Sequence, residues 1–206
     1  MLDFAVERAF FEGGRRSVAG VDEVGRGPWA GPVIAAAVLV TPASPWLEGV
    51  DDSKQLTRRR REDLAAAIVS SLVHAVAGAS VREVDRLNIR RATALAMRRA
   101  RARLPEAADV VVVDGLPVPE LGRDHEAMVD GDARCYAVAC ASIVAKTVRD
   151  RLMARLGGRY PEFGWEHNAG YGTPDHRAAL DRRGPTPHHR RSFTPVVQRQ
   201  LFEGLS

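Results

Sequence analysis

Residues 18–40 read VAGVDEVGRGPWAGPVIAAAVLV. Val18–Val21 and Val33–Val40 have the apolar composition of buried strands, and a turn rich in Gly and Pro separates them, which predicts an antiparallel pair. Another strand is predicted at Asp109–Val113, where a run of valines buried on both faces ends at Asp114-Gly115. Weaker strand patterns occur at Val73–Ala79 and Glu126–Val129.

Helical patterns lie between and after these strands. One begins after a predicted N-cap at Thr57, and others are predicted from Asn88 to Arg103, Cys135 to Leu156 and Pro174 to Arg183. This alternation predicts an α/β fold, with a central mixed β-sheet flanked by helices and a helical C-terminal portion. We expect residues 1–146 to form the core and residues 147–206 to pack on it as part of one structural unit.

The composition of the 206 residues is ordinary for a globular protein, with 45 % hydrophobic and 27 % charged residues. The N-terminus lacks the pattern of a signal peptide, and no apolar run reaches the ~20 residues of a membrane span. We therefore expect a cytoplasmic protein without a membrane partner. Cys135 and Cys140 are expected to be packed core thiols. The net charge of +4 permits a phosphate-rich partner without requiring one.

Four acidic residues stand where strands end or helices begin: Asp22, Glu23, Asp114 and Asp132. Because strand ends and helix starts gather at one edge of an α/β sheet, these side chains can converge. Carboxylate oxygens are the ligands that Mg²⁺ and Mn²⁺ prefer, and two such ions can hydrolyse a phosphodiester. Two structural alternatives stay open: Asp114-Gly115 can be a strand-ending turn, and Asp132 can be a helix N-cap.

Five motifs follow one another along the chain. They are Gly20–Val33, Asp52–Leu56, Gly131–Ala133 running into Ala139–Arg151, Gly170–Thr173 with His176, and His189–Phe193. Together they resemble the signature of ribonuclease HII over roughly residues 17–196. Four positions depart from the usual pattern of that family: Val24, Cys135, Cys140 and Ala169. None of them is one of the four acids.

The resemblance implies an RNase H-like fold and a metal-dependent endoribonuclease, monomeric in solution, with two Mg²⁺ or Mn²⁺ ions. Such an enzyme hydrolyses the RNA strand of RNA:DNA hybrids. It also incises duplex DNA 5′ of a single ribonucleotide, leaving 3′-hydroxyl and 5′-phosphate ends. The residues carried over as catalytic metal ligands are Asp22, Glu23, Asp114 and Asp132.

The resemblance also implies substrate-binding residues. Gly25, Arg26 and Gly27 would approach the ribose 2′-hydroxyl through their backbone, and Tyr171 would stack at the junction between ribonucleotide and deoxynucleotide. Alternatively, the glycines serve only the turn and Tyr171 anchors a loop. His176 is expected to hold the loop after Tyr171 by a hydrogen bond. The candidates for phosphate contacts are Ser53, Lys54, Lys146, Arg190 and Arg191.

Two other functions remain open from the sequence. A catalytically silent hybrid-binding protein would be expected to lack one of the acids, whereas all four are present. A four-way junction resolvase is a third possibility, but Gly25-Arg26-Gly27 and Gly170–Thr173 suit a single ribose better than a branch. Gln198–Phe202 faintly resembles a sliding-clamp-binding peptide, and the alternative is a tail that packs or frays.

Overall fold

The structure is a computed structural model that describes residue 2, residues 4–122 and residues 124–197. Within these ranges, five strands form one mixed sheet in the order β3-β2-β1-β4-β5. Their bounds are Val18–Val24 (β1), Val33–Val40 (β2), Val73–Ala79 (β3), Val110–Asp114 (β4) and Glu126–Met128 (β5). The expected antiparallel pairing of β1 with β2 is confirmed, and β1 runs parallel to β4. All five strands lie where the sequence predicts strands.

The described helices are Ala5–Glu12 (α1), Arg58–Ser71 (α2), Val81–Ala102 (α3), Gly131–Arg134 (α4), Tyr136–Arg159 (α5), Trp165–Asn168 (α6) and Pro174–Arg183 (α7). The predicted N-cap at Thr57 is confirmed, because its side chain accepts a hydrogen bond from the backbone N–H of Arg60. The sequence did not predict α1, α4, α6 or the first turns of α3. Helix α3 begins at a capping box made by Ser80 and Glu83 and passes through Asn88, whose φ of 67° breaks the helical path.

The sheet is covered on both faces. One core joins α2 and α5 to alternate strand residues such as Val18 and Val112, and the other joins α3 to intervening residues such as Ala19 and Val111. Val111–Val113 are buried, which confirms the expected burial of β4 on both faces. Cys135 and Cys140 are buried free thiols, as expected.

Gly20 fixes how closely α5 approaches the sheet. A Cβ atom at this position would lie 2.1 Å from the backbone carbon of Ala137. Only glycine therefore lets the first turn of α5 rest directly on β1. This contact places α4, which immediately precedes α5, beside the carboxyl ends of β1 and β4.

The C-terminal elements form a smaller core of their own, which contains Met153, Phe163, Trp165, Leu180 and Val196. Helix α5 crosses the position between residues 146 and 147 without interruption, so that it links this core to the sheet. The division of the chain at that position remains a prediction. No helix among the described residues is long and apolar enough to cross a membrane.

Candidate active site

The carboxyl ends of β1 and β4 bring two of the acids together. Val21 is paired with Val113 in the parallel register, so Asp22 and Asp114 follow at the same level of neighbouring strands. Side chains two or four residues apart on a strand share one face of the sheet, so Asp22 lies on the face of Val18 and Asp114 on the face of Val112. Val18 and Val112 pack against α5, so both acids lie on the face that α5 covers. Glu23 follows Asp22 and lies on the opposite face of β1.

Helix α4 adds the fourth acid. The backbone N–H of Gly131 donates a 2.7 Å hydrogen bond to Asp114 Oδ1, which attaches the start of α4 to the end of β4. The next residue is Asp132, which lies within the helix, and no side chain caps α4. The alternative of Asp132 as an N-cap is therefore wrong. Its Oδ2 lies 3.0 Å from the Lys54 Nζ.

Burial and mutual repulsion disfavour charge on three of these acids. Burial raises the pKa of Asp22 well above its ordinary value, and the neighbouring Glu23 and Asp114 raise that pKa further. Burial also raises the pKa of Glu23, although the Arg26 guanidinium opposes the shift. The pKa of Asp114 is raised by burial and then by Asp132. Carboxylates that interact in this way bind cations readily, because a cation relieves the repulsion.

Protein donors occupy several of the carboxylate oxygens. Among the described residues, no three His, Cys, Asp or Glu side chains stand in an arrangement that could hold a metal ion. Glu23 pairs with Arg26 and Asp132 pairs with Lys54, and the side chains of Arg26 and Lys54 are 55 % and 75 % exposed. Exposed long side chains of this kind rotate at little cost in free energy. A divalent cation bound by these carboxylate oxygens would therefore require Lys54 and Arg26 to turn away.

Ser142 and Ser53 lie beneath Asp22, and the sequence did not single out Ser142 as a site residue. The Ser142 hydroxyl hydrogen-bonds Asp22 and lies 2.9 Å from the Ser53 hydroxyl. Both serines are buried. Ser53 was expected to contact a phosphate, but its hydroxyl instead hydrogen-bonds Ser142, which in turn hydrogen-bonds Asp22. The only available signal was that Ser142 is the one hydroxyl in the run Ala139–Ala145.

The loop between β1 and β2 borders the acids, and Tyr171 lies against it. Gly25 has a φ of +94°, and a Cβ atom there would lie 2.1 Å from Arg149 Nε. A Cβ atom on Gly27 would lie 3.4 Å from Tyr171 Cε1, so the exposed backbone of Gly27 adjoins the ring. Tyr171 itself is 50 % exposed. It is therefore not the buried loop anchor that was the alternative.

Two buried histidines hold the backbone behind Tyr171. His176 Nδ1 donates to the Tyr171 carbonyl at 2.8 Å, which confirms the expected role of that ring. His189 Nδ1 accepts from the Thr186 N–H, so its proton lies on Nε2, which donates to His176 Nε2 at 3.0 Å. Both rings are thus neutral. Burial lowers the pKa of His176 and lowers that of His189 to about 3.

The expected phosphate-binding cations have different surroundings. Arg190 is fully buried, and its guanidinium donates to the carbonyls of Gly25, Arg26 and Gly31. Arg190 therefore lies beneath the loop that joins β1 to β2 and does not make the direct phosphate contact that was expected. Arg191 is exposed. The Lys146 Nζ lies 2.7 Å from Asp150 Oδ1. The Lys54 side chain, which pairs with Asp132, is 75 % exposed.

The departures from the family pattern do not disturb the acids. Ala169 adopts a φ of 48°, a left-handed conformation that a non-glycine residue seldom takes, and its carbonyl accepts from Arg149. The Cys135 thiol donates to Glu7 Oε1 at 3.0 Å. Cys135 is therefore held by α1 and does not face a substrate.

A mixed sheet with acids at the ends of two neighbouring parallel strands, and a further acid in the short helix that precedes the covering helix α5, is the arrangement of a nuclease of the RNase H-like class. Comparison with known proteins gives the family. A family model described as "Ribonuclease HII" matches residues 19–196. The ribonuclease HII of Paracoccus denitrificans is 54 % identical over 195 residues, which are 94 % of this chain and 92 % of that protein.

Solved structures agree with this result. Ribonuclease H2 from Pyrococcus horikoshii superimposes with a TM-score of 0.79 at 27 % identity, covering 92 % of this chain and all of that one. The ribonuclease HII of Archaeoglobus fulgidus, solved as a complex with PCNA, gives 0.72 at 26 % identity and covers 89 % and 96 %. The chain belongs to the ribonuclease HII family. It is an endoribonuclease, a hydrolase that acts on the RNA strand of RNA:DNA hybrids.

Proposed function

We propose that this chain incises duplex DNA on the 5′ side of a single embedded ribonucleotide. Water attacks the phosphorus 5′ of the ribonucleotide, and the bond to the 3′-oxygen of the preceding nucleotide breaks. The products are a 3′-hydroxyl and a 5′-phosphate. The observation that carries this proposal is that the exposed Tyr171 ring lies beside Gly27, which belongs to the loop that follows Asp22 and Glu23.

A single ribose has one distinguishing group, its 2′-hydroxyl, and a backbone without a Cβ can approach it closely. Gly27 meets that requirement, because the residue is exposed and a Cβ atom built on it would meet only Tyr171 Cε1 within 4 Å among the described residues beyond its chain neighbours. An exposed aromatic ring at this distance can stack on the sugar or base that follows. The alternative in which Gly25 and Gly27 serve the turn alone does not account for that exposed ring.

We propose that Asp22, Glu23, Asp114 and Asp132 hold two divalent cations, Mg²⁺ or Mn²⁺. When bound, such a pair supplies activation of water and stabilisation of negative charge on the phosphate and the leaving oxygen. The mutual repulsion that helps to raise the pKa values of Asp22, Glu23 and Asp114 favours binding of a cation over unpaired negative charges. Ser142 orients Asp22, and the N–H of Gly131 orients Asp114.

Exposed and partly exposed basic side chains are proposed to position the duplex. Lys54, Lys146, Arg26 and Arg191 are at least partly exposed, so each can reach a phosphate oxygen. Lys54 and Arg26 have a second role in this scheme: they neutralise Asp132 and Glu23 until substrate and cations replace them. Contacts to phosphates position a duplex without reading its sequence.

The decisive experiment is incision of a labelled DNA duplex that carries one ribonucleotide, with Mg²⁺, with Mn²⁺ and with EDTA. We expect metal-dependent cutting at the 5′ side of the ribonucleotide and no cutting of an all-DNA duplex of the same sequence. Cutting only within long hybrids would restrict the activity to the RNA strand of hybrids. No cutting by folded protein that still binds the duplex would identify a silent binding protein.

We also propose that the chain acts as a cytoplasmic monomer that contacts a sliding clamp through Gln198–Phe202. That segment lies outside the described residues. The support is its sequence, together with the Archaeoglobus fulgidus ribonuclease HII, whose structure was solved in complex with PCNA. Binding of the full chain to a sliding clamp should be lost when Phe202 is replaced by alanine, and equal binding would contradict the assignment.

A further inference from the structure

Arg149 from α5 and Arg190 from the C-terminal segment lie beneath the loop that joins β1 to β2. Neither side chain has exposed surface. Arg149 donates to the carbonyls of Ala30, Pro32 and Ala169 at 2.9–3.1 Å. Arg190 donates twice to the carbonyl of Gly31 and also to those of Gly25 and Arg26. All these hydrogen-bond acceptors of the arginine pair are backbone carbonyls.

Neither guanidinium of the arginine pair takes part in an ion pair within the part of the chain that the structure describes. Burial lowers the pKa of Arg149 to about 10 and that of Arg190 to about 9, so both stay charged at neutral pH. Two buried charges without a contacting carboxylate are costly, since Asp150 and Asp85 act on Arg149 and Arg190 only from a distance, and packing alone could be achieved by apolar residues. Their arrangement therefore calls for another explanation.

The hydrogen bonds of Arg190 fix the direction of two peptide planes. The described peptide bonds are all trans, so the carbonyl of one residue and the N–H of the next point in opposite directions. Arg190 holds the carbonyls of Gly25 and Arg26 from the buried side. The N–H groups of Arg26 and Gly27 must then point away from it, toward solvent. Neither N–H donates to a backbone acceptor among the described residues.

Arg149 secures the other end of the same loop. It holds Ala30 and Pro32, and through Ala169 it also holds the segment that leads into Tyr171. Its side chain fills the space above Gly25, where a Cβ would collide with it. The loop and the tyrosine segment are thereby fixed to one another, and the outward N–H groups keep a constant position relative to the ring.

We propose that Arg149 and Arg190 are positioning residues that determine specificity for the ribose, by directing the N–H groups of Arg26 and Gly27 toward the 2′-hydroxyl. This inference rests on the proposed function, in which that loop reads the ribonucleotide. Arginine is required because its planar fork can hold two or three carbonyls at once, whereas lysine supplies the same charge from a single point.

The test compares binding of two labelled duplexes that differ only by one ribonucleotide, measured by fluorescence anisotropy in EDTA so that no cleavage occurs. We expect Arg190→Lys and Arg149→Lys to lower the preference for the ribonucleotide about tenfold, because one misdirected N–H loses one hydrogen bond. Affinity for the all-DNA duplex should change less than twofold. Arg182→Lys, which replaces an exposed arginine of α7, is the matched control.

Each other outcome has a definite meaning. No preference in the unmodified protein would contradict ribose reading by the loop, and hence the proposed function. A preference that both lysine variants retain would overturn the role of the arginine pair. An equal loss of affinity for both duplexes would also overturn it, because that result indicates a structural role alone.

A second measurement applies if both variants fail to fold. In ¹⁵N-labelled unmodified protein, the amide resonances of Arg26 and Gly27 should shift on addition of the ribonucleotide duplex and shift much less with the all-DNA duplex. Equal shifts with both duplexes would overturn the proposal.

Discussion

Asp22 combines burial, two acidic neighbours and a hydrogen bond from Ser142. In Asp22→Asn we expect cleavage to fall by more than ~100-fold, because the loss of even an outer-shell partner of a metal ligand costs ~10–100-fold. In EDTA the melting temperature should rise by roughly 2–4 °C, since ~1 kcal/mol of buried repulsion is removed. Incision assays and calorimetry would measure both changes.

Asp63→Asn is the matched control, because Asp63 is an exposed acid of α2. It should leave both quantities unchanged. A lower melting temperature in Asp22→Asn would mean that the acid is structural.

Tyr171 gives a second prediction for a single residue. Tyr171→Ala should weaken binding of a single-ribonucleotide duplex about tenfold to a hundredfold, because the stacking surface is lost. Tyr171→Phe keeps the ring and should retain most of the affinity. An alanine variant that binds the single-ribonucleotide duplex as tightly as the unmodified protein does would contradict the junction role.

At the scale of residues, the sequence predicted the acids, Tyr171 and the hydrogen bond from His176. These residues lie at strand ends, at the start of a helix or in a family motif, where their side chains have a clear chemical role. It did not predict that Arg190 and Ser53 would be buried. Arginine and serine usually lie at the surface. Their burial depends on carbonyls and hydroxyls supplied by distant segments, such as Gly31 for Arg190 and Ser142 for Ser53.

Among the elements, α1 illustrates what periodicity does not reveal. It is an eight-residue helix, too short to be stable alone, and it is held by Glu7, whose Oε1 accepts from the N–H of Ala137 at 2.8 Å and from Cys135. A glutamate with no exposed surface gives no apolar signal in the sequence. Asn88 was predicted to begin its helix, and it does cap Arg91, but α3 starts seven residues earlier.

Glu7 also gives a prediction about stability. Glu7→Ala should lower the free energy of unfolding by about 1–3 kcal/mol, because it leaves a buried N–H at the start of α5 without an acceptor. Urea unfolding measures the effect. Glu12→Ala, at an exposed position of the same helix, should change stability far less. Equal effects of the two substitutions would show that Glu7 does not hold α5.

For the molecule as a whole, the buried histidines predict how stability depends on pH. His189 has an ordinary pKa of 6.5 and a pKa of about 3 in the fold, so between these values the unfolded chain binds the extra proton. The free energy of unfolding should therefore fall as the pH drops below about 6.5. Acidification from pH 7.5 to 5.0 should cost about 2 kcal/mol through this residue.

Denaturant unfolding of the protein and of His189→Asn at both pH values isolates that contribution. The variant should lose about 2 kcal/mol less than the unmodified protein over the same interval. Asp22, Glu23 and Asp114 have raised pKa values and act in the opposite direction, but they are common to both proteins. The same pH dependence in the variant would show that His189 is not held neutral.

The mixed sheet, the antiparallel pairing of β1 with β2 and the position of the acids at strand ends followed from strand patterns and from family motifs, which are local in sequence. The hydrogen bonds that hold the loop between β1 and β2 could not be predicted in this way. They join segments about 160 residues apart, as between Gly31 and Arg190. Sequence patterns within a short segment cannot predict hydrogen bonds between segments so far apart.

That separation has a consequence for the order of events during synthesis on the ribosome. Domains acquire structure from the N-terminus as the chain emerges. All five strands, the four acids and α5 are present once Arg159 has been made, whereas Arg190 emerges later. Until Arg190 has emerged, the loop between β1 and β2 lacks the guanidinium that holds the carbonyls of Gly25, Arg26 and Gly31.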